Sequence, residues 1–200
     1  MTIVIFYSSM RKGDRTRERV VEAAGRVFRR SGMAAGVDGV MAQAELTHGS
    51  FYRYFDSKEA LAEEALSRAL DGFEALLLAE LESRPDVDCV EEVARRYLSR
   101  LHRDNAEQGC PLPALLADVG RMNDERRLSV GTRIALFVDR VSAACGRQTR
   151  ARVVAALATC VGGLLVARAC RGQPLSDEVL LASRALVAGS NTMNVSKGKK

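Results

Sequence analysis

Apolar residues recur along almost the whole chain at three- and four-residue intervals, a spacing that predicts helices rather than strands. Val20, Ala23, Ala24, Val27 and Phe28 mark a first helix that begins near Asp14–Thr16, runs to Ser31 and is stopped by Gly32. Val37, Val40, Met41 and Ala44 mark a short second helix. The pattern breaks at Glu45-Leu46-Thr47, where the Thr47 hydroxyl is placed to cap a third helix, His48–Tyr54. Asp56, with Glu59 three residues on, reads as a capping box. It opens a long helix, 57–82, striped by Leu61, Ala65, Ala69, Phe73, Leu76, Leu77 and Leu81 and ended by Arg84-Pro85.

A second capping box, Asp88 with Glu91, opens a helix reaching His102 or Asn105. Gly109-Cys110-Pro111 is a break before a short helix through Val119. Asn123 caps a helix from Asp124 to Cys145; Thr149–Arg171 is the most apolar helix, and Ser176 caps the last, Asp177–Ala188. Residues 1–10 are β-prone, and 191–200 have no large side chains to bury. Nine helices with short loops predict an all-α bundle. The expected organisation is a flexible arm over 1–13, a small three-helix head over 14–56, a body over 57–189 and a disordered basic tail over 190–200.

The third helix carries the most telling chemistry. Phe51 and Phe55 point inward at i, i+4, which turns His48, Gly49, Ser50, Tyr52, Arg53 and Tyr54 outward. Two short helices joined by a three- or four-residue turn make a helix-turn-helix. The outward set suits a nucleic acid: small residues permit close approach, hydroxyls and Arg reach phosphate, and His can bond a base edge. An ordinary αα-corner would use the aromatics as core, but would not explain Tyr52, Arg53, Tyr54 and Lys58 crowding one outer surface. Charge agrees, since residues 1–60 carry ten Lys/Arg against seven Asp/Glu, the middle is near neutral and the tail adds three lysines. Arg11, Lys12, Arg15 and Arg17 form a basic arm that could lie along phosphates.

Composition narrows the rest. Five cysteines without C-x-x-C spacing and only two histidines argue against a disulfide framework or a zinc site and for reduced thiols. The longest uncharged run, Val153 to Ala167, is fifteen residues, short for a membrane span, so a cytoplasmic protein is expected. An enzyme would need a nucleophile, base or metal set, and two distant histidines with scattered cysteines supply none; no catalytic residue and no cofactor is expected.

The run Thr47-His48-Gly49-Ser50-Phe51-Tyr52-Arg53-Tyr54-Phe55-Asp56-Ser57-Lys58-Glu59-Ala60-Leu61 resembles the recognition helix and following helix start of the TetR family of bacterial repressors. The resemblance extends back through Thr16–Val20, Ala23, Ala24, Phe28 and Gly32 and covers roughly 14–66. Where that family carries glycine in the turn, this chain has Glu45. By this resemblance His48, Gly49 and Ser50 would read base edges, Thr47, Tyr52, Tyr54 and Lys58 would hold phosphates, and Arg53 would do either. The fold implied is a helix-turn-helix head on a ligand-binding and dimerisation bundle.

A head this small covers one half-site, so two copies should pair. The expected homodimer face uses Ala155, Ala158, Gly162 and Gly163 from the apolar helix with Leu180, Leu181 and Leu186 from the last one. Between them and the head, Phe73, Leu77, Leu101, His102 and Leu115 are candidate walls of an effector pocket, together with Leu116, Met122, Phe137, Val141 and Cys145. Cys110, ahead of a helix start, is a candidate redox or electrophile sensor. The reading reached is a repressor released from a palindromic DNA operator by a small apolar ligand. A Cys110 thiol sensor is the alternative, and a small helical-bundle enzyme a remote one.

Overall fold

The computed structural model describes residues 12–83, 87–146 and 150–189, and every regular element in them is helical. In order these are α1 Lys12–Ser31, α2 Val37–Gln43, α3 Lys58–Glu82, α4 Cys89–Tyr97, α5 Arg100–Asp104, α6 Leu112–Val119, α7 Asp124–Ala144, α8 Arg150–Ala169 and α9 Pro174–Gly189. Short 3₁₀ turns fill Gly32–Ala34, His48–Arg53 and Ala106–Gln108. The expectations for the first ten residues, the tail, Arg84-Pro85 and Thr149 lie outside the described residues.

Two details depart from the periodic reading. Residues 48–53 wind as a 3₁₀ turn rather than an α-helix. The segment after Asp88 divides at Leu98, where Ser99 caps α5 by accepting from the His102 N–H. Two of the expected caps also change. Thr47 has extended backbone at the N-cap position but its hydroxyl makes no cap bond; instead Ser50 Oγ donates to the Thr47 carbonyl at 2.7 Å. At α3 the cap is Ser57, accepting from Ala60 N–H at 3.0 Å, rather than Asp56. Asp88 and Asn123 cap α4 and α7 as their sequences suggest.

The buried residues fall into two clusters. One fills the head: Val20, Ala24 and Phe28 of α1, Val40 and Met41 of α2, Phe51, Phe55, and Leu61 and Leu66 of α3. Leu115, Val119 and Met122 from α6 and its following turn, and Val130 of α7, complete it. The head therefore closes its core with side chains from the body. The second cluster runs through α3, α4, α7, α8 and α9 around Leu70, Leu77, Tyr97, Leu98, Phe137, Leu164 and Leu180. α8 is 20 residues long, longer than its fifteen-residue uncharged run, and is apolar enough to meet a membrane-span criterion. Its Val153, Ala156, Cys160, Leu164 and Ala167 instead enter this core.

α8 and α9 pack closely. A Cβ on Gly163 would lie 2.5 Å from Ser183 Oγ and 3.1 Å from Leu98 Cδ2, so a larger residue would have to push these side chains aside. Gly163 and the buried Leu180 thus serve packing within the chain, not the pairing face expected of them. Ala155, Ala158 and Gly162 do face outward, with Val154, Leu165 and Val166 beside them. On α9, Leu181 and Leu186 are 60% and 65% exposed. These apolar side chains of α8 and α9 are left uncovered in the single chain.

A disulfide joins Cys89 to Cys145 with the Cα atoms 5.2 Å apart. The sequence reading favoured reduced thiols because no short cysteine spacing signals a pair. The partners here lie 56 positions apart and meet because α4 starts where α7 ends.

Candidate nucleic-acid interface

α2 ends in a Schellman motif: Leu46 N–H donates to the Met41 carbonyl at 2.9 Å, and Glu45 N–H to that of Ala42 at 3.0 Å. The motif needs a left-handed residue, and Glu45 supplies it with φ of 57°, the one positive-φ residue other than glycine among those described. Arg19 of α1 donates to the Ala44 carbonyl at 2.7 Å and reaches Glu45 at 3.3 Å. A cation thus sits on the carbonyl end of α2, where the helix dipole favours it.

This turn throws residues 48–53 across the head. Phe51 and Phe55 are buried and stacked, with centroids 6.0 Å apart. The opposite side presents Thr47, His48, Gly49, Tyr52 and Arg53 to solvent, with Ser50 at its edge. His48 Nδ1 is paired with Asp38 of α2, which fixes the ring and leaves Nε2 for a partner. Tyr52, 69% exposed, leans edge-on to Phe51 with centroids 5.2 Å apart. A Cβ on Gly49 would meet nothing within 4 Å, so the fold itself makes no demand for glycine there. Tyr54 is half-buried against the head core.

Two predicted phosphate-side residues turn out to be braces. Lys58 Nζ donates to the Met33 carbonyl at 2.9 Å, so its charge is turned in toward the head. Arg17 pairs with Glu64 of α3 and lies over the Phe55 ring, 4.6 Å from its centroid, rather than trailing in an arm. Asp118 Oδ2 accepts from Met33 N–H at 2.9 Å, and Arg126 pairs with Glu63 at 2.7 Å. α1 and the Gly32–Ala34 turn are thereby tied to the start of α3 and to α6, and α3 in turn to α7.

Behind the head, α3 floors the expected pocket, which divides in two. Phe73, Leu77, Phe137 and Val141 meet Val90, Tyr97 and Val153 in an interior of only about 20 Å³, effectively solid core. Beside it, an open cleft of about 300 Å³ is lined by Phe73, Leu76, Leu77, Tyr97, Leu101 and His102, with the Glu80–Arg96 ion pair at its rim. That volume is at the lower end for small-molecule sites. Leu101, 74% exposed, stands at its mouth. Leu115 and Met122 belong instead to the head core, Leu116 packs on the body core, and Cys145 is in the disulfide.

His102 is no free ligand group. Its Nδ1–H donates to the Tyr97 carbonyl at 2.7 Å and its Nε2 accepts from Cys110 N–H at 3.0 Å, which defines one neutral tautomer. Burial lowers its pKa to about 4; the Tyr97 carbonyl opposes this and the nearby Arg168 charge adds to it. A Cβ on Gly109 would fall 2.2 Å from Nε2, so the ring's seat requires glycine. Cys110 is buried rather than loop-exposed, and burial pushes its thiol up to about 11. Desolvation thus overrides the helix start, and the thiol is not primed to react as a thiolate. No sequence signal marked Tyr97 or Asp118, whose roles rest on where the chain folds back.

Two short helical segments, a tight turn and an exposed small-residue tip held on a packed core make a helix-turn-helix head. Residues 20–65 match the family model described as bacterial regulatory proteins, tetR family. The fold resembles a TetR-family transcriptional regulator from Cytophaga hutchinsonii at 24% identity, covering 90% of this chain and 96% of that one, with a TM-score of 0.69. It also resembles the reduced form of Escherichia coli NemR, at 23% identity over 88% of this chain and 96% of that one, with a TM-score of 0.66. No curated protein matches the chain. Residues 20–65 thus carry the sequence signature of the tetR-family head, and the chain as a whole shares the fold of these solved regulators.

Proposed function

We propose that this protein is a cytoplasmic homodimeric repressor that holds a palindromic DNA operator until a small apolar ligand enters the cleft beside α3. The observation that carries this reading is the single 25-residue helix α3. Its first turns are braced to the head through Lys58 and Glu64, and its middle floors the cleft through Phe73, Leu76 and Leu77. At 1.5 Å per residue it reaches about 37 Å, so a tilt at the cleft displaces the head. Pairing through the uncovered faces of α8 and α9, with Ala155, Ala158, Gly162, Leu181 and Leu186, would set two heads to enter major grooves about 34–36 Å apart. Coupling of about 1–3 kcal/mol between cleft and head would change DNA affinity about 5–150-fold.

In the head, His48, Gly49 and Ser50 approach base edges, while Thr47, Tyr52 and Arg53 reach phosphates. Tyr54 and Lys58 support the turn from behind. The test is a competition gel shift with duplexes from around the protein's own coding region. Selective binding to a two-fold symmetric site, released by members of an apolar small-molecule panel, is expected. Equal affinity for every duplex would refute the reading.

A further inference from the structure

We infer that the Cys89–Cys145 disulfide is a redox-modification site that clamps the interior of the body shut, and that two-electron reduction opens that interior to apolar ligands. The bond joins the first residue of α4 to the residue capping the end of α7. Both neighbouring turns are walls of the closed interior: Val90 and Val93 follow Cys89, and Val141 lies one turn before Cys145. With the bond in place the space between these walls and Phe73 is about 20 Å³, too little for anything beyond water. At the same end of the body Arg152 of α8 holds Asp88 at 2.9 and 3.0 Å, and Arg150 of α8 holds Asp139 of α7 at 2.7 Å. These ion pairs join α8 to α4 and to α7, and the disulfide is the covalent tie between α4 and α7 themselves.

The sequence reading looked for redox chemistry at Cys110, which burial silences. Cys89, by contrast, is only half-buried at the outer end of the body, within reach of a small oxidant or thiol. With a peroxide, the Cys89 thiolate attacks one peroxide oxygen, forming a sulfenic acid and expelling hydroxide, which takes a proton to become water. The Cys145 thiolate then attacks the sulfenic sulfur, forms the S–S bond and expels a second hydroxide, also protonated to water. Two thiols and one hydrogen peroxide thus give one disulfide and two waters. A low-molecular-weight dithiol reverses the change by exchange, delivering two electrons and two protons.

The inference rests on the effector reading and deepens it, because reduction would add the closed interior to the open cleft beside it as room for an apolar ligand, but its test needs no operator. Full-length protein is treated with hydrogen peroxide or with dithiothreitol, and the Cys89–Cys145 link is followed by differential alkylation and mass spectrometry. Anilinonaphthalene sulfonate serves as the apolar probe, and amide hydrogen exchange reports opening. In the reduced form dye uptake should rise several-fold. Exchange in 89–97 and at the end of α7 should speed about tenfold while α1 and residues 48–53 stay unchanged. The double variant Cys89→Ser/Cys145→Ser should give the reduced values in both conditions; if it does not fold, the wild-type comparison decides alone. Indifference of dye and exchange to reductant, a response that persists in the double variant, or a rise in exchange throughout the chain would each overturn the clamp. Because no readout involves DNA, such a failure leaves the repressor reading standing.

Discussion

Glu45 holds a left-handed backbone that a side chain resists by about 1–2 kcal/mol, part of which glycine's greater freedom in the unfolded chain would offset. Glu45→Gly is therefore expected to stabilise the protein by about 0.5–1 kcal/mol in denaturant unfolding, even though the exposed contact with Arg19 goes with it. At the other end of the turn, Gly49 has open space where a Cβ would go. Gly49→Ala should leave the melting temperature unchanged and weaken operator binding at least tenfold, because only the approaching DNA would meet the new methyl. His102 sets a pH dependence. Its folded pKa, about 4, lies below the ordinary 6.5, so the unfolded chain takes up a proton first as pH falls. The stability it contributes is complete above about pH 6.5 and is lost progressively toward pH 4, by at most about 3 kcal/mol. In His102→Asn the decline in stability between pH 7 and 4.5 should be visibly shallower. The sequence exposed Glu45 as a departure and Gly49 as small. It hid the work of His102, because both its partners, the Tyr97 carbonyl and the Cys110 N–H, are backbone groups without a residue-type signature.

At the scale of elements, helical periodicity located nearly every helix but said little about which neighbour each face meets. Gly162 and Gly163 look equivalent in the sequence, yet one faces solvent and the other admits Ser183 and Leu98. The break between α4 and α5 leaves no mark in the pattern, because Ser99 reads as one polar residue in it and Tyr97 and Leu98 just before it are both buried. Periodicity likewise cannot tell that Leu115 and Met122 serve the head rather than a pocket. α3 and α7 are locked by Glu74, 2% exposed, which accepts from Arg133 and Arg140 at 2.8 Å each. Burial alone would raise the pKa of this carboxyl; the hydrogen bonds and charges of Arg140 and Arg133 outweigh it and hold the pKa below the ordinary carboxylate value. Glu74→Ala leaves the largely buried Arg133 with only the exposed Asp71 as partner and should cost about 1–3 kcal/mol in unfolding experiments. A loss under 1 kcal/mol would show that the pair does not couple these two helices.

For the whole molecule, the resemblance in 14–66 carried the class of protein into view, and the body was legible only as helices of the right number and length. What the sequence could not state was the division of labour: a solid interior beside an open cleft, a head whose core is finished by α6, and an uncovered apolar face on α8 and α9. That face should make Leu181→Glu monomeric by sedimentation while its helical content is unchanged. The monomer should retain only weak, strongly salt-dependent DNA binding. The central claim is that two groove-reading heads are carried at a fixed separation by a paired helical body. It is tested most directly by selecting binding sites from random duplex DNA with the purified full-length protein. The account predicts enrichment of one two-fold symmetric sequence with half-sites about one helical turn apart, abolished by Gly49→Ala and by Leu181→Glu. Enrichment of no sequence, or of a single asymmetric half-site bound equally by the Leu181→Glu monomer, would contradict it.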